Sequence, residues 1–206
     1  SKAGAILTSL NPAYKEEEVR YQLDDSGAKV VIVHESLLPI LRAVRERLPG
    51  LKEVIVTEGE TQADCIGFDE WIAGEVDTPP DEPPIDQAND LIALPYSSGT
   101  TGRPKGVMLT HRNLVRNYHQ FVDNHELGES DGALNFLPLY HIYGTLIMGG
   151  LILAGGKQVL MRRFDALAPH KAAVCSVMKA SACDISTGVS SLCRLMGSMR
   201  WMLEAA

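Results

Sequence analysis

The chain of 206 residues is long enough for one domain with a substantial core, and its 45% hydrophobic, 22% charged and 6% aromatic content is that of an ordinary globular protein. Its 26 acids against 19 bases give a formal net charge of -7, which offers no general basic field for a nucleic-acid backbone. Cys65, Cys175, Cys183 and Cys193 form no C-x-x-C pair, which argues against a disulfide scaffold or a zinc site and points to a reducing, cytoplasmic setting.

In chain order, Ser1 to Leu7 lacks a starting Met and a basic leader, so the chain is expected to begin in mid-sequence. Glu16, Glu17 and Glu18 after Asn11-Pro12 suit a helix N-terminus, and the spacing predicts a helix from about Lys15 to Asp25, with Val19 and Leu23 inward and Ser26-Gly27 closing it. The β-branched run Lys29 to His34 predicts a strand buried on both faces. Leu37, Leu38, Leu41, Val44 and Leu48 recur at helical spacing up to Pro49-Gly50, and Val54 to Val56 predicts the next strand. This alternation defines an α/β fold, a sheet flanked by helices.

Between Asp77 and Asp90, Pro79, Pro80, Pro83 and Pro84 among five acids predict a surface connection over 77–90. Strands follow at Leu91 to Leu94 and Gly106 to Leu109, and Thr110 is placed to cap a helix with Leu114, Tyr118 and Phe121 inward. Ala133 to Leu137 and Lys157 to Leu160 read as further strands. The apolar run Ile142 to Ala154 between them reads as a buried core helix, because it is shorter than the ~18 residues of a membrane span. After Asp165 the texture changes: the last 41 residues hold three of the four cysteines and four of the seven methionines, and no period persists.

Chemistry concentrates in Tyr96-Ser97-Ser98-Gly99-Thr100-Thr101-Gly102-Arg103-Pro104-Lys105-Gly106, between two predicted strands. Gly99 and Gly102 let backbone N–H groups converge on an anion. The hydroxyls of Ser97, Ser98, Thr100 and Thr101 add donors, and Lys105 adds a point charge. The spacing is not that of a Walker A loop, in which Ser or Thr follows the lysine; here Pro104 precedes it and Gly106 follows. A polar Ser/Gly hairpin shares this composition, and it is the length of the patterned run that favours a phosphate cradle.

The run resembles the signature loop of the adenylate-forming (AMP-binding) superfamily, most closely its acyl-CoA synthetase and 4-coumarate-CoA ligase branch. Leu137-Pro138-Leu139-Tyr140-His141-Ile142-Tyr143-Gly144 resembles the family's next core motif, and Asn11-Pro12-Ala13-Tyr14, Tyr21-Gln22-Leu23 and Asp25 to Lys29 resemble its lead-in. The resemblance implies a ligase that uses ATP with Mg2+ to convert an acyl or aryl carboxylic acid to an acyl-adenylate, then transfers the acyl group to coenzyme A. It implies phosphate binding by Ser97, Ser98, Gly99, Thr100, Thr101, Gly102 and Lys105, and it puts His141 on the acyl and thiol side. No metal-binding residue is assigned.

The family's Tyr-Gly-x-Thr-Glu run, ribose-binding Asp, hinge and C-terminal catalytic Lys do not occur here. Residues 1–165 are therefore expected to be a partial N-terminal domain. Residues 166–206 are expected to be an atypical tail of frameshifted or alternatively spliced origin. Such a piece is not expected to complete either half-reaction, and its uncovered sheet edge predicts marginal stability or aggregation. A truncated product or polyphosphate-binding module without catalysis is one alternative; a luciferase-like or carrier-protein-loading enzyme is another. The expected location is cytoplasmic, with a peroxisomal parent left open.

Overall fold

The computed structural model describes residues 3–74, 81, 83–97 and 102–161. The expected tail 166–206, and residues 77–80 and 82 of the expected 77–90 connection, thus lie outside the described residues. The chain forms two compact units, residues 1–110 and 111–206.

The first unit opens with helix α1, Glu16–Asp25, within a residue of the expected span. Its three N-terminal glutamates face the positive end of the helix dipole, and the Lys15 backbone N–H donates to the Glu18 carboxylate at 2.7 Å. Gly27, at φ +64°, ends it, and the Ala28 N–H returns to the Leu23 carbonyl at 3.1 Å. Strand β1, Val30–His34, a 3-10 turn at Glu35–Leu37 and helix α2, Leu38–Val44, lead to β2, Glu53–Thr57. The expected helix over 37–48 is thus an α-helix only in its middle, since a second 3-10 turn, Arg45–Arg47, finishes it ahead of Pro49.

β1 and β2 pair in parallel, Val30 opposite Glu53 through His34 opposite Thr57. A two-residue strand β3, Ile66–Gly67, extends the sheet, and helix α3, Phe68–Ile72, follows; neither has a sequence period long enough to read. Leu23 of α1, Leu38, Leu41 and Val44 of α2, and Val54 and Val56 of β2 build the core of this unit with buried Cys65. β2 is the strand buried on both faces. β1 is not: Val31 points into the core, while Val30 and Ile32 are 48% and 56% exposed. The expectation of a doubly buried β1 fails because no layer among the described residues covers the face that bears Val30 and Ile32.

β4, Leu91–Ala93, β5, Tyr96–Ser97, β6, Lys105–Gly106, and β7, Leu109–Thr110, follow as two short antiparallel ladders, β4 with β7 and β5 with β6. The single strand expected over 106–109 is therefore split at Val107–Met108. Pro95 lacks an N–H and breaks the opposing strand, so its carbonyl accepts from Val107 at 2.8 Å and the chain changes partner there. The N-terminal segment joins this region as Leu7 bridges Ala93 in parallel.

The second unit contains helix α4, His111–His125, strand β8, Gly132–Asn135, helix α5, Ile142–Ala154, and strand β9, Lys157–Leu160. β8 and β9 are parallel, with α5 as the crossover between them. α5 is not buried all round as expected. Gly144, Ile147, Gly150 and Leu151 form its inner stripe, and Ile152, Leu153 and Ile142 are exposed. α4 packs closely on that stripe: a Cβ on Gly149 would lie 2.2 Å from Tyr118 Cζ, and one on Gly150 would lie 2.5 Å from Phe121 Cδ1. These glycines admit two aromatic rings to the helix backbone.

Candidate active site

The run from Tyr96 to Gly106 begins in β5 and ends in β6. Ser97 ends β5 opposite Lys105 of β6, and both side chains are exposed. Gly102 lies between them at φ +145°, a conformation that side-chain-bearing residues rarely adopt, and among the described residues no atom stands within 4 Å of the position its Cβ would occupy. Backbone geometry alone therefore favours glycine at 102. Ser98, Gly99, Thr100 and Thr101 lie outside the described residues.

Both arms of the hairpin reach back to α1. The Tyr96 hydroxyl donates to Asp25 Oδ2 at 2.6 Å, and the Tyr21 hydroxyl donates to the Pro104 carbonyl at 3.0 Å. The two rings meet edge to face at 6.5 Å, and the Arg103 guanidinium lies 5.3 Å from the Tyr21 centroid. Burial, then the Asp25 carboxylate, push the Tyr96 phenol well above its ordinary range, so it remains a donor. At the foot of β4, buried Gln22 donates to Thr8 Oγ1 at 2.9 Å and Thr8 donates to the Leu94 carbonyl at 2.8 Å. Motif reading did not single out Tyr21 or Asp25 for the site. The available signal was their i, i+4 spacing, which puts them on one helix face.

In the second unit His141 caps α5: its Nδ1 accepts from the Tyr143 N–H at 3.2 Å. That acceptor role leaves the proton of the neutral ring on Nε2. The side chain is exposed. Next to it, residues 135–140 with Leu160 and Met161 line an open pocket of about 290 Å3. Buried Asn135, one of these residues, donates to the Gly144 carbonyl at 3.2 Å, while its Oδ1 has no partner among the described residues. Among the described residues, no group of three His, Cys, Asp or Glu could hold a metal, and no helix is long and apolar enough to cross a membrane.

The described residues thus combine, in an α/β chain, a hairpin that bears Lys105 and an apolar helix capped by His141. The sequence profile of the family described as AMP-binding enzyme matches residues 1–205, and the chain belongs to that family. It is 40% identical over 172 residues to 4-coumarate–CoA ligase 5 of Oryza sativa subsp. japonica, covering 80% of this chain and 30% of that enzyme. The crystal structure of the anthranilate CoA ligase AuaEII in complex with anthranoyl-AMP is similar with a TM-score of 0.72 at 29% identity, covering 86% of this chain and 34% of that one. ATP-bound MatB from Rhodopseudomonas palustris is similar with a TM-score of 0.67 at 28% identity, covering 86% and 33%. The chain therefore spans about a third of the length of these relatives.

Proposed function

We propose that this chain supplies the polyphosphate-handling part of an ATP-dependent carboxylate:CoA ligase. The observation that carries the reading is the β5–β6 hairpin, which presents Ser97 and Lys105 on paired strands with Gly102 in a glycine-only conformation. In the proposed reaction a carboxylate oxygen of an acyl or aryl acid bonds to the α-phosphorus of Mg-ATP as the bond to pyrophosphate breaks. The thiol of coenzyme A then loses its proton, bonds to the acyl carbon and displaces AMP. Charge builds on the leaving pyrophosphate in the first step, and fixed donors and a cation stabilise it most when they are already oriented.

Each residue has a distinct task. Lys105 brings a point charge to the β- and γ-phosphates, the Ser97 hydroxyl donates to them, and Gly102, with Ser98, Gly99, Thr100 and Thr101, shapes the cradle around them. Mg2+ arrives as part of the Mg-ATP substrate. His141 serves the acyl and thiol side, its Nε2–H turned away from the bond that Nδ1 makes to α5. A luciferase-like or carrier-loading acceptor would require the same phosphate handling.

The test is pyrophosphate binding and ATP–pyrophosphate exchange by the whole chain against a panel of aliphatic and aromatic carboxylic acids. Exchange above background supports the ligase reading. Binding that Lys105→Ala abolishes, with no exchange, supports instead a phosphate-binding module. Absence of both refutes the two together.

A further inference from the structure

We propose that Tyr21 and Asp25 of α1 are positioning residues that hold the two arms of the phosphate hairpin, through Pro104 and Tyr96, in the geometry a polyphosphate requires. The inference rests on the function proposed above and extends it to a helix to which that function gives no role.

The hairpin cannot fix its own shape. β5 and β6 pair over only two residues each, and such isolated ribbons are marginal in water. Pro95 and Pro104 remove two backbone donors that a longer ladder would use. Its geometry must therefore be imposed from outside, and α1 makes the contacts that can do so. Asp25 holds the entering arm by accepting a hydroxyl bond to a charged group, the stronger kind, at 2.6 Å. Tyr21 holds the leaving arm, 83 residues away in sequence, at 3.0 Å. Its ring also faces the Arg103 guanidinium. One turn of helix thus sets the spacing between the two strands that carry Ser97 and Lys105.

The contacts are placed for positioning more than for general stability. None of Tyr21, Asp25, Tyr96 and Pro104 belongs to the apolar cluster formed by α1, α2 and β2. α1 is anchored independently by Leu23 in that cluster and by Gln22 through Thr8. Loosening the clamp should therefore free the hairpin while leaving the helix in place.

The experiment uses the whole 206-residue chain with Tyr21→Phe, Asp25→Asn and Asp25→Ala. Amide hydrogen exchange is read at Val107, whose N–H donates to Pro95 at 2.8 Å, and at Val54 to Val56 of β2 as the internal reference. Pyrophosphate affinity and the thermal midpoint are measured in parallel. Tyr21→Phe, which keeps the ring, should raise Val107 exchange and weaken pyrophosphate binding by about 2- to 12-fold, with β2 exchange unchanged. Asp25→Ala should do more, and Asp25→Asn, which retains an acceptor for Tyr96, should recover part of the loss.

Wild-type exchange at Val107 in both Tyr21→Phe and Asp25→Ala overturns the proposal. So does a rise shared equally with β2, which marks general loosening. Should Tyr21→Phe fail to melt cooperatively, Tyr96→Phe removes the Asp25 bond, keeps its ring and carries the same comparison. No pyrophosphate binding by the unaltered chain overturns the proposed function, whereas binding that is intact and equal in every variant overturns the positioning role alone.

Discussion

Replacing Gly150 with alanine sets two effects of opposite sign against each other. At an exposed helix interior the exchange stabilises by about 1 kcal/mol, because glycine loses more backbone freedom on folding. At Gly150 the new Cβ would lie 2.5 Å from Phe121 Cδ1 and 3.1 Å from its Cε1. Carbon atoms at rest need about 3.5–4.0 Å, so the ring would have to withdraw by roughly 1 Å. It has little freedom to do so: Phe121 is 6% exposed and packs with Ala133, Ile147 and Leu151. Overpacking of this kind costs about 1–3 kcal/mol, so the expected net effect is destabilisation by about 1 kcal/mol. A urea titration followed by circular dichroism measures it as a lowered midpoint. In a Phe121→Leu background the clash disappears and Gly150→Ala should become neutral or stabilising, a coupling of about 1–2 kcal/mol. A raised midpoint for Gly150→Ala with Phe121 present would refute the close-packing account and leave helix propensity as the governing term.

Gly102→Ala should weaken pyrophosphate binding while leaving α-helical content unchanged, since a side chain at φ +145° strains the backbone by about 1–3 kcal/mol; equal affinity would show that the loop does not need this conformation to bind. The Tyr96 phenol is raised in the folded chain, so its neutral form contributes stability that is fully present below the unfolded value near pH ~10 and is lost as pH rises above it. Tyrosinate absorbance should accordingly show one tyrosine ionising later than in a Tyr96→Phe variant, and a titration curve without that late step would contradict the burial and the Asp25 bond. Arg42 donates to both carboxylate oxygens of Asp64 at 2.7 Å, and this bond holds the Asp64 carboxyl below its ordinary value. Arg42→Ala should return it upward in a carboxyl NMR titration, so the pair's contribution, present above the unfolded Asp value, fades as pH falls through the depressed one; thermal stability at neutral pH should change little, because the pair is exposed.

Local signals were sufficient where an element is long enough to repeat its own pattern. The acidic first turn and Gly27 bracket α1 within a residue, and the run from Ile142 to Ala154 bounds α5 between His141 and Gly155. They were insufficient where the neighbours decide. Val30 to Val33 carry the same β-branched chemistry as Val54 to Val56, yet only β2 lies between two partners and is buried on both faces. The strand expected over 106–109 splits because Pro95, far from it in sequence, cannot donate across the ladder.

The site divides along the same line. Net charge and the patterned run from Tyr96 to Gly106 are enough to raise the expectation of a phosphate-binding loop and of no basic field for a nucleic-acid backbone, because glycine, hydroxyl and lysine chemistry is a property of residues and spacing. What holds that loop is decided by tertiary structure alone. Tyr21 and Pro104, and Asp25 and Tyr96, become partners only when α1 is brought beside the hairpin, and no periodicity within either segment encodes the meeting.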